Sequence, residues 1–165
     1  MTAADDTSRQ SAALAWIDHK LRAHDLPYQI VGGLAAIAHG ASRPLHDIDL
    51  YAPLRTEAAA GFLADIAQHV VWGPEAVVDG PWDIFYMKLV HGGQKIEIGD
   101  SAHPKIRDAA SGEWVCQHID FAASVQKDVF GCTVPVMPAA QLIAYKTMLD
   151  REVDRQDISE ISCRA

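Results

Sequence analysis

A chain of 165 residues, 49% hydrophobic and 22% charged, has the size and make-up of a single globular domain that buries its own core. The 14 Lys and Arg against 22 Asp and Glu leave a net charge of -8, which argues against a protein held to nucleic acid by a broad phosphate footprint. Cys116, Cys132 and Cys163 are odd in number and far apart, with no CxxC pair. A disulfide scaffold or zinc knuckle is therefore not indicated, and the expected setting is a reducing cytoplasm. No apolar run approaches the length of a signal segment or a membrane span, so no membrane partner is expected.

Residues 1–9 read as a frayed polar tail ahead of one domain spanning 1–165. From Ser11, Leu14, Ile17 and Leu21 recur at helical spacing with Trp16 beside them, and Pro27 closes the following turn. "YQIV" is a short strand, and "GGLAAIAHG" turns into a small-residue helix that Gly40 ends. "DIDLYA" is the next strand, with Asp47, Asp49 and Tyr51 on one face and Ile48 and Leu50 on the other. "RTEAAAGFLADIAQHV" predicts a helix capped by Thr56, with Leu63, Ile66 and Val70 on one stripe. "EAVVD" is a short strand, and "WDIFYMKLVHGGQKIEIGD" a hairpin turning at "HGGQ". "EWVCQHIDF" and "GCTVPVMP" carry weaker strand patterns. Last come a helix from about Ala139 to Leu149 and a second starting near Val153 or Asp154. The mixture predicts an α+β fold, a mixed sheet flanked by helices with some antiparallel pairing.

Asp47 and Asp49 interrupt what is otherwise a buried apolar strand. A carboxylate buried without a partner is costly, so the pair needs a cation, hydrogen-bond donors or an exit to solvent. Two residues apart on a strand, they share a face with Cα atoms about 6.6–7 Å apart and can each offer an oxygen to one divalent ion. A strand end whose aspartates face water is the plainer reading. Gly32 and Gly33 permit close backbone approach before a helix whose N–H groups suit an anion. Their spacing is neither a dinucleotide fingerprint nor a Walker A loop. Glu97 alternates with Ile96 and Ile98 and so points to the opposite face from both isoleucines. Asp83 and Asp100 are rivals for a third carboxylate. Trp16, Trp72, Trp82 and Trp114 read as packing residues rather than base-stacking platforms.

"VGG" before an alanine-rich helix, then "RPLHDIDLY", a later carboxylate in "KIEIG", and finally "MPAAQLIAYKTMLDREVDRQDI" together resemble the minimal nucleotidyltransferases of the DNA polymerase β-like superfamily. The resemblance is nearest to the small aminoglycoside and lincosamide nucleotidyltransferases and the toxin-type nucleotidyltransferases of abortive-infection and toxin–antitoxin systems. It covers about Tyr28 to Ile161. It implies that Gly32 and Gly33 cradle nucleotide phosphates and that Asp47, Asp49 and Glu97 are the catalytic, metal-ligating carboxylates, with Glu97 a ligand or the base. Arg43 and His46 match positions flanking the motif. Lys146 corresponds to a phosphate-contacting lysine, although "PAAQLIAYK" is one residue longer before its leucine than the family pattern. Asp154 and Asp157 match a paired-aspartate motif on the following helix, with Val153 where a basic residue is common. Leu45 stands where a small polar residue or histidine is usual, removing one polar contact.

The resemblance implies a Mg²⁺-dependent enzyme, with Mn²⁺ as a substitute, that transfers NMP from an NTP such as ATP to a hydroxyl and releases pyrophosphate. The acidity of the chain favours a small-molecule acceptor over nucleic acid. Two readings compete with it: a toxin-type enzyme that modifies tRNA or another macromolecule and has a cognate antitoxin, and a non-catalytic nucleotide-binding module of the same fold. Lys146 as an edge lysine reaching for solvent, and Asp154, Arg155 and Asp157 as a surface cluster, are the plain alternatives for the C-terminal residues.

Overall fold

The computed structural model describes residues 3–164. Its elements in chain order are α1 (Ala3–Ala23), β1 (Gln29–Val31), α2 (Gly32–Ala38), β2 (Asp47–Ala52), α3 (Ala59–Ile66), β3 (Val70–Asp79), β4 (Trp82–His91), β5 (Gln94–Asp100), β6 (Lys105–Arg107), β7 (Trp114–Cys116), β8 (Val125–Val129), β9 (Cys132–Val136), α4 (Ala139–Leu149) and α5 (Glu152–Ser162). The strands form one mixed sheet in the order β7-β6-β4-β5-β2-β1-β9-β8, and β3 pairs with the other edge of β4. β2 runs parallel to β5 and β1 parallel to β9, while β1–β2, β3–β4 and β4–β5 are antiparallel. The expected α+β mixed sheet flanked by helices is the fold observed. No helix among the described residues is long and apolar enough to cross a membrane.

The period-2 pattern of the central strands separates the two faces of the sheet. Ile48, Leu50, Ile96 and Ile98 are fully or almost fully buried, and so are Leu14, Ile17 and Leu21 of α1 and Phe62 and Ile66 of α3, all within one core. Each such side chain contributes about 1.5–3 kcal/mol on burial, so this layer fixes the register of β2 and β5. The alternate residues Asp47, Asp49 and Glu97 are thereby left on the opposite face, half-buried.

The differences from the sequence reading have local causes. α1 begins at Ala3 and so takes in residues read as tail; Met1 and Thr2 lie outside the described residues. Gln10 is buried there and donates to the Leu45 carbonyl at 3.0 Å. α3 is shorter than predicted: Thr56 donates its hydroxyl to the Pro53 carbonyl instead of capping the helix. Its buried stripe is Ala59, Phe62 and Ile66, and Val70 already belongs to β3. β3 is twice the length of the strand expected at "EAVVD" because it pairs along most of β4. β6 and β8 were not anticipated. Each is short, and their patterns are too brief to show a period.

Candidate active site

Register builds the site. Asp49 of β2 lies opposite Glu97 of β5, which lies opposite Lys88 of β4, so one row across three strands carries two carboxylates and an ammonium group. Asp47 is one pleat away on the same face. Oxygens of Asp47, Asp49 and Glu97 all come within 4.8 Å of one another. The only ion pair to this cluster among the described residues is Lys88 Nζ at 3.6 Å from Glu97 Oε1. Burial, then the charges of Asp47 and Glu97, push the Asp49 carboxyl up to about 8, against the opposing pull of Lys146 and Arg43. Burial also raises Glu97, with Lys88 opposing and Asp47 assisting.

Three crowded carboxylates with one lysine at their edge fit a divalent cation. Two oxygens on opposite sides of one Mg²⁺ lie about 4.1 Å apart, so modest side-chain rotations would bring this set onto one ion. Hard oxygen donors with no nitrogen or sulfur among them suit Mg²⁺ or Mn²⁺.

Gly32 and Gly33 open α2 beside this cluster, with Val31, whose side chain makes no cap hydrogen bond, at the N-cap position. Gly32 has φ +62, and a Cβ there would run into the Asp49 carboxylate. A Cβ on Gly33 would come within 2.6 Å of the Arg43 guanidinium. The two glycines therefore let backbone, aspartate and arginine share one small space. Gly99 does the same on β5, since a side chain there would meet the Tyr51 ring at 2.6 Å.

Behind the cleft lies a buried charge network. Lys146 is 1% exposed and sits 3.1 Å from Asp154 Oδ1 and 2.9 Å from Asp157 Oδ2, and both aspartates are fully buried. The second contact is an ion pair without hydrogen-bond alignment, which leaves Asp157 Oδ2 unsatisfied as an acceptor. Arg43 Nε donates to Asp157 Oδ1 at 2.8 Å, and Arg151 donates to both oxygens of Asp154 at 2.6 and 3.0 Å. Burial works to raise the Asp154 carboxyl, but the Arg151 hydrogen bonds and the charges of Lys146 and Arg151 outweigh it and hold it below the usual range. The plain alternatives for these residues are overturned. Lys146 does not reach solvent, and Asp154 and Asp157 are not a surface cluster; Arg155 alone of that group is exposed, paired with Asp150. Nor do the two aspartates line the cleft, where they were expected beside the nucleotide: they hold the cations that do.

The cleft, of about 580 Å³, is lined by Gly32, Gly33, Arg43, His46, Asp47, Asp49, Glu97 and Lys146, which brings the remaining sequence candidates together. Asp83 and Asp100 fall outside it: Asp83 pairs with Lys105 at 3.5 Å, and buried Asp100 holds Arg55 at 2.7 Å and the Leu54 N–H at 2.9 Å. Leu45 packs in the core, so its departure from the family pattern is a packing feature. Sequence reading missed Lys88, Tyr145 and Arg151, and it misplaced Trp82, which lines the cleft. For Lys88 there was a usable signal, since an antiparallel hairpin turning at Gly92-Gly93 sets it opposite Glu97.

Compared by sequence, the chain matches no protein-family model and no curated protein. Compared by structure, it matches a proposed nucleotidyltransferase from Thermotoga maritima with a TM-score of 0.67 at 17% identity, over 93% of this chain and 92% of that one. It matches the lincosamide antibiotic adenylyltransferase LnuA, solved with lincomycin, with a TM-score of 0.56 at 15% identity, over 92% and 96%. A third match is ANT(2")-Ia, solved with adenylyl-2"-tobramycin, with a TM-score of 0.57 at 16% identity, over 93% and 87%. The chain has the nucleotidyltransferase fold.

Proposed function

We propose that the protein is a metal-dependent nucleotidyltransferase that moves NMP from an NTP, with ATP the first candidate, to a hydroxyl of a small-molecule acceptor. The observation that carries this reading is the three-carboxylate cluster that shares one cleft with the Gly32-Gly33 helix start, half-buried Arg43 and buried Lys146. Adenylyl transfer to small molecules by two of the fold neighbours supports the acceptor class. A cleft of about 580 Å³ is also in the range of small-ligand sites, roughly 300–1,000 Å³.

Asp47, Asp49 and Glu97 would hold Mg²⁺, which supplies charge neutralisation at the transferring phosphoryl group and activates the attacking oxygen. Gly32 and Gly33 admit the phosphates close to the backbone. Arg43 and Lys146, fixed by Asp157 and Asp154, present preorganised positive charge where negative charge develops. The acceptor oxygen bonds to the α-phosphorus, the bond to the leaving pyrophosphate breaks, and Glu97, its carboxyl raised by burial, takes the hydroxyl proton. Pyrophosphate release from each NTP with Mg²⁺ or Mn²⁺, with and without small-molecule and RNA acceptors, tests the reading. Wild type should release it in a metal-dependent way and D49N should not. Equal release from both proteins would refute it.

A further inference from the structure

One wall of the cleft is built differently from the carboxylate cluster. Trp82, Ile84 and Tyr86 alternate along β4 and share the face that looks into the cleft, with Val77 and Asp79 of β3 paired opposite Ile84 and Trp82. β3 pairs only with β4, so the wall ends at an edge of the sheet; Val77, Trp82 and Ile84 are half-buried and Tyr86 is buried. The wall's indole is fixed twice. Trp82 Nε1–H donates to Tyr145 Oη at 3.1 Å, and the Arg151 guanidinium lies 5.1 Å from the ring centroid. A buried Trp N–H ordinarily finds such a partner, but a cation over the ring as well orients an aromatic face with unusual rigidity. Among the described residues the Tyr145 oxygen accepts from Trp82 and donates to none, so its own proton is left for a ligand. Burial pushes that phenol up to about 12, which keeps the proton in place at neutral pH.

Charge on the lining narrows what this wall can take. The cleft has four carboxylates, and three of them form the cluster beside the glycines. Asp79 alone remains for an acceptor, and the lining cations are already paired: Arg43 with Asp157, Lys88 with Glu97, Lys146 with Asp154 and Asp157, and Arg151 with Asp154. A polycationic acceptor needs several free carboxylates of its own and finds one here.

We propose that the wall of Trp82, Tyr86, Ile84 and Val77 is the acceptor subsite and selects a neutral or singly charged hydroxylated molecule with a flat apolar face, rejecting polycations. This inference rests on the nucleotidyltransferase reading. Tyr145 O–H orients the acceptor by hydrogen bonding, and Asp79 at the wall's outer end takes one donor from it. Calorimetric titration separates the two levels. The first titration is wild type with Mg²⁺ and a non-transferable ATP analogue; no binding there would overturn the underlying reading itself. On that complex, three probes follow: 4-nitrophenyl β-D-glucoside, glucose and tobramycin. The glucoside should bind at least about tenfold more tightly than either of the others, as expected for a ring seated on aromatic residues. Trp82→Ala and, on the exposed edge strand where folding is not at stake, Val77→Lys should each cost the glucoside about tenfold and leave analogue binding within about twofold. Tighter binding of tobramycin, no preference for the glucoside over glucose, or a Trp82→Ala loss that falls on the ATP analogue would overturn the assignment. The last of these outcomes would make the wall a base subsite.

Discussion

Replacing Lys146 by methionine keeps a long flexible side chain and deletes one charge from a network in which Lys146 is 1% and Asp154 and Asp157 are 0% exposed. Asp154 keeps the two-pronged Arg151 contact and loses little. Asp157 keeps Arg43 on Oδ1, but its Oδ2 loses the only cation beside it among the described residues. Breaking a buried pair from one side costs about 3–5 kcal/mol, because the remaining charge stays desolvated. The expected loss is therefore at the low end, about 3 kcal/mol, or roughly 6–12 °C in melting temperature for a domain of this size. Asp157→Asn alone should also destabilise, since it removes the carboxylate from Arg43 and Lys146 together. The double variant should be more stable than the sum of the two losses by about 2 kcal/mol, because it leaves no orphaned carboxylate. Urea and thermal melts of the four proteins measure this coupling. A double variant equal to the sum within about 0.5 kcal/mol would refute the network as described.

The Asp49 carboxyl, raised to about 8 by burial and then by Asp47 and Glu97, gives a pH signature. A carboxyl raised in the folded state contributes stability that is complete below its ordinary value of 3.8 and is lost as pH climbs through the folded value. Melting temperature in EDTA should fall between pH 5 and 8 for wild type, while D49N should be flatter and Mg²⁺ should reverse the trend, since its ligands must be ionised; matching slopes in wild type and D49N would contradict this. Gly33→Ala should lower both turnover and melting temperature, because its Cβ would come within 2.6 Å of the Arg43 guanidinium that also holds buried Asp157. Steady-state kinetics beside a melt would settle it, and unimpaired turnover would mean that Arg43 is not needed where it lies.

What could be read in the sequence was whatever depends on local period. Asp47 and Asp49 announce themselves by interrupting an apolar strand, and Glu97 by alternating with two isoleucines, so both strand faces are legible from period alone. α4 and α5 carry clear breaks at Asp150 and Arg151, where Asp150 takes a left-handed backbone. What escaped depends on partners far along the chain. Asp154 and Asp157 look like surface residues of a charged helix, and it takes Arg43 and Lys146, brought in by the fold, together with Arg151 to make their burial tolerable. Trp82 reads as one apolar residue among many, and its place in the cleft is set by Tyr145 and Arg151 on the helical side. Thr56 looks like a helix cap, but the Pro53 carbonyl three residues back competes for its hydroxyl.

The claim on which the rest depends is that Asp47, Asp49 and Glu97 together hold a divalent cation. Mn²⁺ titration followed by electron paramagnetic resonance counts bound ions directly and needs neither acceptor nor turnover. The account predicts saturable Mn²⁺ binding in wild type that tightens with ATP, is weakened about tenfold or more in D49N and in E97Q, and is competed by Mg²⁺. Wild type, D49N and E97Q binding Mn²⁺ equally, or wild type binding none in the presence of ATP, would contradict it.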